Sequence, residues 1–219
     1  DAEGNIAFFY SNFVPKRDEA FDYTKPVDGS NPATDWKGLL AIDESPNVVN
    51  PPNGWIQNTN NWPFSAAGAN SPKPADYPKY MEVGTENPRG VHAMRVLDGK
   101  TGFTPESLMA AAFDPALPEF DLLMPTLIKA WDGLKPSEPL RAKLAEPVAQ
   151  LRAWDRKWAV SSVPTTLAVF WGEALWTKVA AEARAANLSV YEFMETRATA
   201  SQRLETLASV IDTLTADFG

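Results

Sequence analysis

Three primary amides, Asn58, Asn60 and Asn61, stand between the strand-like run Trp55-Ile56-Gln57 and the aromatic residues Trp62 and Phe64. Asparagine is a poor strand former, so propensity does not account for the cluster. A neutral amide donates two hydrogen bonds. At a strand end, such a donor can face negative charge that develops during a reaction, as a side-chain amide does in an oxyanion hole. The competing reading is a turn in which each side chain bonds its own backbone. Turn chemistry, Asn50-Pro51-Pro52-Asn53-Gly54, lies just upstream, and on residue types alone the turn is the commoner outcome.

The surrounding sequence adds an ordered set of motifs. Asp1-Ala2-Glu3-Gly4-Asn5-Ile6-Ala7-Phe8-Phe9-Tyr10 is followed by Val14-Pro15-Lys16-Arg17 and Asp35-Trp36-Lys37-Gly38-Leu39. Then come Asn50-Pro51, the block from Gly54 to Asn61, and Asp76-Tyr77-Pro78. In that order and spacing they resemble the β-chain of the penicillin amidase family. These are N-terminal-nucleophile hydrolases and include penicillin, cephalosporin and acyl-homoserine-lactone acylases. The resemblance is good over residues 1–98 and looser beyond, where Leu151-Arg152-Ala153-Trp154-Asp155 is similar to the family's Arg-Trp-Asp element before a long helix.

The resemblance implies an α+β fold, part of an αββα sandwich with few strands and long loops, followed by a mostly helical region. It implies hydrolysis of the amide bond of a small acylated molecule, such as a β-lactam side chain or an N-acyl-homoserine lactone. Counted from Gly54, Asn60 falls on the family's oxyanion asparagine. Arg89, in Asn87-Pro88-Arg89, takes the place of an arginine that bonds the family's active-site network; Arg95 is the alternative, and a solvated arginine at a helix start is the competing reading. Trp62 and Phe64, beside the asparagines, are candidate neighbours of the acyl group, while Trp36 reads as structural.

The family's nucleophile is the N-terminal serine of the β-chain, with its own α-amino group as base. Asp1 cannot take that part. The resemblance therefore implies a portion of a larger enzyme, inactive alone, whose partners are the rest of the β-chain and an α-chain of the same precursor. No cofactor is implied. Some penicillin acylases bind calcium near the start of this region, but the position of one ligand acid falls close to Met81; Asp76 or Glu82 could substitute, and the expectation is no metal. Asp1-Ala2-Glu3-Gly4-Asn5 resembles part of a calcium loop without the ligand series of an EF-hand. A periplasmic or secreted location follows from the resemblance.

Composition narrows the alternatives. Lys and Arg number 20 against 28 Asp and Glu, a net charge of −8, and no basic run could hold phosphates, so nucleic acid is excluded as a partner. There is no cysteine, which removes thiolate nucleophiles and zinc-thiolate sites. No apolar run reaches the roughly 18 residues of a membrane span. His92 is the single histidine, with neither nucleophile nor acid placed locally to use it, and is assigned no role.

Eleven of the 19 prolines fall in residues 1–88, a density that long helices do not accommodate. We read residues 1–88 as a strand and long-loop segment and 89–219 as a helical region, together a fragment of one larger catalytic domain. Buried strands are expected at Ile6–Tyr10 and Trp55–Asn58, sharing a sheet. Helices are expected at Arg89–Leu97, from Thr104-Pro105-Glu106 to Phe113, and over Pro118–Leu134 with a kink or break at Pro125. Further helices are expected over Leu140–Trp154 with an interruption at Pro147, from Ser162-Val163-Pro164 to Asn187, and over Leu188–Met194 and Ser201–Leu214. Two other readings compete with the acylase: a binding module whose Asn- and Trp-rich loops recognise a sugar or peptide, and a structural helical domain without a site.

Overall fold

The computed structural model describes residues 1–10, 13–81 and 84–219. The chain forms two compact units, Asp1–Asp114 and Pro115–Gly219.

In the first unit β1 (Ala7–Phe9) pairs antiparallel with β2 (Asn47–Val49), Ala7 facing Val49 and Phe9 facing Asn47. Asn50 closes the ribbon. It sits at a φ of 47°, its N–H donates to the Ile6 carbonyl at 2.9 Å, and its side-chain oxygen accepts from the Ile6 N–H at 2.9 Å. The expected strand at Ile6–Tyr10 is therefore present in shortened form, but its partner is not Trp55–Asn58, which forms no strand. Pro51 and Pro52 lack the N–H groups a ladder needs, and the turn ending at Gly54 carries the chain away from β1. Nor is the ribbon buried. Ile6, Phe9 and Val49 are 37%, 44% and 54% exposed, because two strands alone bury little.

The long loop between the strands is held by stacking and ion pairs. The Arg17 guanidinium lies over Tyr23 at 4.8 Å and Trp36 at 5.5 Å, and Tyr23 meets Tyr80 edge-on at 5.7 Å. Lys37 pairs with Asp18 at 2.8 Å and Lys16 with Glu44 at 2.7 Å. Helices begin at α1 (Pro88–Leu97), where Asn87 caps the Gly90 N–H at 3.0 Å and Pro88 occupies the first position. In α2 (Pro105–Ala112), Thr104 caps the Ser107 N–H at 3.2 Å.

The second unit is helical: α3 (Glu119–Asp132), α4 (Pro139–Lys143), α5 (Ala145–Ala153), α6 (Val163–Ala185), α7 (Val190–Thr196) and α8 (Ala200–Phe218). One face of α6 supplies Leu167, Trp171, Leu175 and Val179 to the core, against Leu123, Met124 and Leu127 of α3 and Leu204 and Leu207 of α8. Pro125 lies inside α3 without ending it. The break in the next segment falls at Leu144 rather than at Pro147, which sits in the first turn of α5 where a missing N–H costs nothing. Leu151 and Trp154 are buried, and the Trp154 Nε1 donates to the Lys157 carbonyl at 3.0 Å just before α6. Phe170 and Trp176 lie off the buried face and are 39% and 37% exposed. No helix among the described residues is long and apolar enough to cross a membrane.

Candidate functional site

Residues 55–67 double back on themselves. The Gln57 N–H donates to the Ala66 carbonyl at 2.8 Å, the Gln57 side-chain amide to the Ser65 carbonyl at 3.0 Å, and the Asn53 amide to the Ala67 carbonyl at 3.2 Å. Trp55, buried, closes the base over Gly68, whose φ of 54° and lack of a Cβ admit the ring. The asparagines occupy the tip of this loop, not a strand end.

The three amides have three different fates. Asn58 accepts the Asn60 N–H at 2.7 Å through its side-chain oxygen. Asn61 accepts the Thr59 N–H at 2.9 Å, and its amide nitrogen donates to Ser65 Oγ at 3.0 Å and to both Glu86 oxygens at 2.9 Å. The turn reading therefore describes Asn58 and Asn61. Strand alternation, which would place Asn61 on the face opposite Asn58 and Asn60, does not apply because there is no strand. Asn60 differs from both. Its side chain is exposed, makes no hydrogen bond among the described residues, and rises from a left-handed backbone with φ 59°.

Beneath the tip is a polar frame. Glu86, half-buried, accepts from the Asn61 amide, from the Asn87 N–H at 2.7 Å and from the hydroxyl of buried Ser65. The same carboxylate lies against the first turn of α1, where a Cβ at Gly90 would overlap Glu86 Oε1. Gly90 thus lets α1 approach the frame. Arg89 is the neighbouring residue on that turn, exposed and without a hydrogen bond or ion pair among the described residues. Asn60 adjoins Asn61 of the frame, and Arg89 adjoins Gly90, which packs against it. Arg95 lies further along α1 and is also exposed.

Trp62 and Phe64 are half-buried and meet edge-on at 4.9 Å; Phe64 also reaches Tyr77 at 5.9 Å. A cavity of about 830 Å³ in this unit is lined by Phe21, Tyr23, Asp76, Tyr77 and Tyr80 among others, and a second of about 460 Å³ by Val14, Pro15 and Tyr80 among others. Neither is lined by Asn60, Arg89, Trp62 or Phe64. Asp76 ends a short 3₁₀ turn and Met81 is buried, while Glu82 lies outside the described residues. Among the described residues no group of three His, Asp or Glu converges in metal-binding geometry. The Asp1 carboxylate instead accepts the Glu3 and Asn5 N–H groups at 3.1 and 2.8 Å, closing its own turn.

Sequence reasoning missed Ser65 and Glu86. Both are common residue types, 21 positions apart, and no spacing signal joins them. It also left His92 without a partner; the ring Nε2 meets Asp114 Oδ1 at 2.9 Å, an acid 22 positions away.

A family model described as penicillin amidase matches residues 1–218. Penicillin G acylase of Escherichia coli is 31% identical over 157 residues, an alignment covering 71% of this chain and 17% of that relative. The chain thus spans a small part of the relative's length. The match to the family model runs through both compact units and includes the asparagine loop and its frame, and the chain belongs to the penicillin amidase family.

Proposed function

We propose that this chain is a portion of an acylase that hydrolyses the amide bond of a small acylated molecule, with Asn60 as a side-chain donor to the oxyanion. The nucleophile is an N-terminal serine outside this chain, activated by its own α-amine. As its oxygen bonds to the substrate carbon, the carbonyl electron pair moves onto oxygen. The Asn60 amide donates to that charge. Collapse of the intermediate expels the amine and leaves an acyl-enzyme, and water removes the acyl group through a second tetrahedral state of the same charge. Asn60 acts on both.

A single observation carries this reading: of the three amides at the loop tip, Asn60 alone has its whole side chain uncommitted among the described residues, with its own N–H and that of Thr59 held by its neighbours. A non-glycine residue held in the left-handed region is a recurrent sign of a functional position. Arg89, exposed and unpaired among the described residues, bonds the active-site network in the complete enzyme, and Trp62 and Phe64 flank the acyl group. No cofactor enters the reaction.

In the same reading, residues 1–88 and 89–219 belong to one larger catalytic domain built on an αββα sandwich. The exposed ribbon β1–β2, with Ile6, Phe9 and Val49 open to solvent, supports this. The rest of the β-chain and an α-chain of the same precursor are the partners, the compartment is periplasmic or extracellular, and the 219-residue chain alone is inactive.

In the complete acylase, Asn60→Ala should lower kcat by about 10²–10³-fold on a chromogenic acyl amide, the usual cost of one oxyanion donor. Substrate binding should change far less, because the charge exists only in the transition state. A variant that folds normally and keeps full kcat would rule out Asn60.

A further inference from the structure

Glu86 has no part in the chemistry above, yet its carboxylate holds three partners, two of them in the asparagine loop. Its two oxygens take the Asn61 amide at 2.9 Å each, the Asn87 N–H at 2.7 Å and the Ser65 hydroxyl. Asn61 relays this grip, because its own side-chain oxygen holds the Thr59 N–H at 2.9 Å. Thr59 and Asn61 bracket Asn60, so the carboxylate, acting through the Asn61 side chain, ties together the two neighbours of a residue whose own side-chain amide has no hydrogen-bond partner among the described residues. A second restraint comes from α1: Asn87 caps the Gly90 N–H at 3.0 Å while its own N–H is held by Glu86. One side chain therefore ties the asparagine tip to the turn that carries Arg89.

We propose that Glu86 is a positioning residue that sets the aim of the Asn60 amide, and through Asn87 the start of α1, without touching substrate. The proposal rests on the oxyanion reading of Asn60. What the loop requires of Glu86 is reach more than charge. A glutamine could keep one oxygen on the Asn61 amide and the Asn87 N–H and turn its NH₂ toward Ser65. The Ser65 hydroxyl could then accept while its hydrogen turns to the Trp62 carbonyl, 3.0 Å away. An aspartate keeps the charge but loses a methylene, and cannot span the same partners.

The test is a double-mutant cycle in the complete acylase, with kcat expressed per titrated nucleophile so that loss of folded enzyme does not count. Glu86→Ala and Glu86→Asp should lower kcat about 10²-fold, the scale for misplacing a catalytic group by about 1 Å, with KM little changed. Glu86→Gln should stay near wild type. In an Asn60→Ala background, Glu86→Asp should cost far less, because the donor it positions is gone and only its hold on the start of α1 remains. Equal losses from Glu86→Asp in both backgrounds would overturn the positioning role and leave the Asn60 reading intact. So would a Glu86→Asp enzyme that keeps full kcat, or a Glu86→Gln enzyme as impaired as Glu86→Asp. An Asn60→Ala enzyme with undiminished kcat would overturn both, and it is read from that variant alone. If Glu86→Ala does not fold, the aspartate and glutamine variants decide.

Discussion

A φ of 59° costs an alanine roughly 1–2 kcal/mol and a glycine nothing, while asparagine tolerates it through its short polar side chain. Two demands thus meet at Asn60, one on the backbone and one on the amide, and substitutions can separate them. Asn60→Gly and Asn60→Ala should lose kcat equally, by about 10²–10³-fold, since both lack the donor. Chemical denaturation should show that only the alanine variant loses stability, by about 1 kcal/mol. A glycine variant with restored turnover would mean that the loop's shape, not its amide, was at work. The sequence could not single out Asn60, because three residues of one type differ only in what the fold gives them to bond. Resemblance to the family selected it. Alternation along an assumed strand sorted the faces wrongly, because the tip is a turn in which Asn58 and Asn61 bind backbone.

At the scale of elements, the helices were the most legible part. Their signals are local: a Ser or Thr cap, a proline in the first turn, an apolar stripe. Thr104-Pro105 and Ser162-Val163-Pro164 open α2 and α6 where those signals fall. Trp55–Asn58 failed for a non-local reason, since a strand needs a partner and β2 took the place beside β1. Gly90 and Arg203 were invisible for the same reason: their importance comes from what packs on them. Gly90→Ala would normally gain helix propensity. Here the new Cβ meets a Glu86 that three partners hold, so the urea midpoint should fall rather than rise. Arg203, buried in α8, donates to the Met194, Glu195 and Ala198 carbonyls at the end of α7, and burial pulls its pKa down from the usual range. Arg203→Met should leave those carbonyls unpaired and cost about 2–4 kcal/mol by denaturant titration. A loss under about 0.5 kcal/mol would show that water replaces the guanidinium.

For the molecule as a whole, the long loops of the first unit and the helical core of the second rest on different forces. The loops lean on carboxylates. The Lys37 ammonium, then the Ala20 N–H, holds the Asp18 pKa below the ordinary aspartate value. The Ser30 hydroxyl does the same for Asp28, and the Lys16 ammonium, then the Ala41 N–H, for Glu44. Folded pKa values lie below unfolded ones, so this stabilisation is full above the unfolded values of about 3.9 and 4.3 and is lost as pH falls through the folded ones. Hydrogen exchange should therefore accelerate in residues 15–46 below about pH 4 before it does in α6 and α8, whose shared core is apolar. Simultaneous loss would contradict that division. The most direct test of the central claim is a crystal structure of the complete acylase carrying a boronic acid on its nucleophile as a tetrahedral adduct. The expected result is Asn60 Nδ2 about 2.7–3.1 Å from the adduct oxygen that stands for the oxyanion, with Asn61 still bound to Glu86. An adduct oxygen held by other donors, with the Asn60 amide facing solvent, would contradict it.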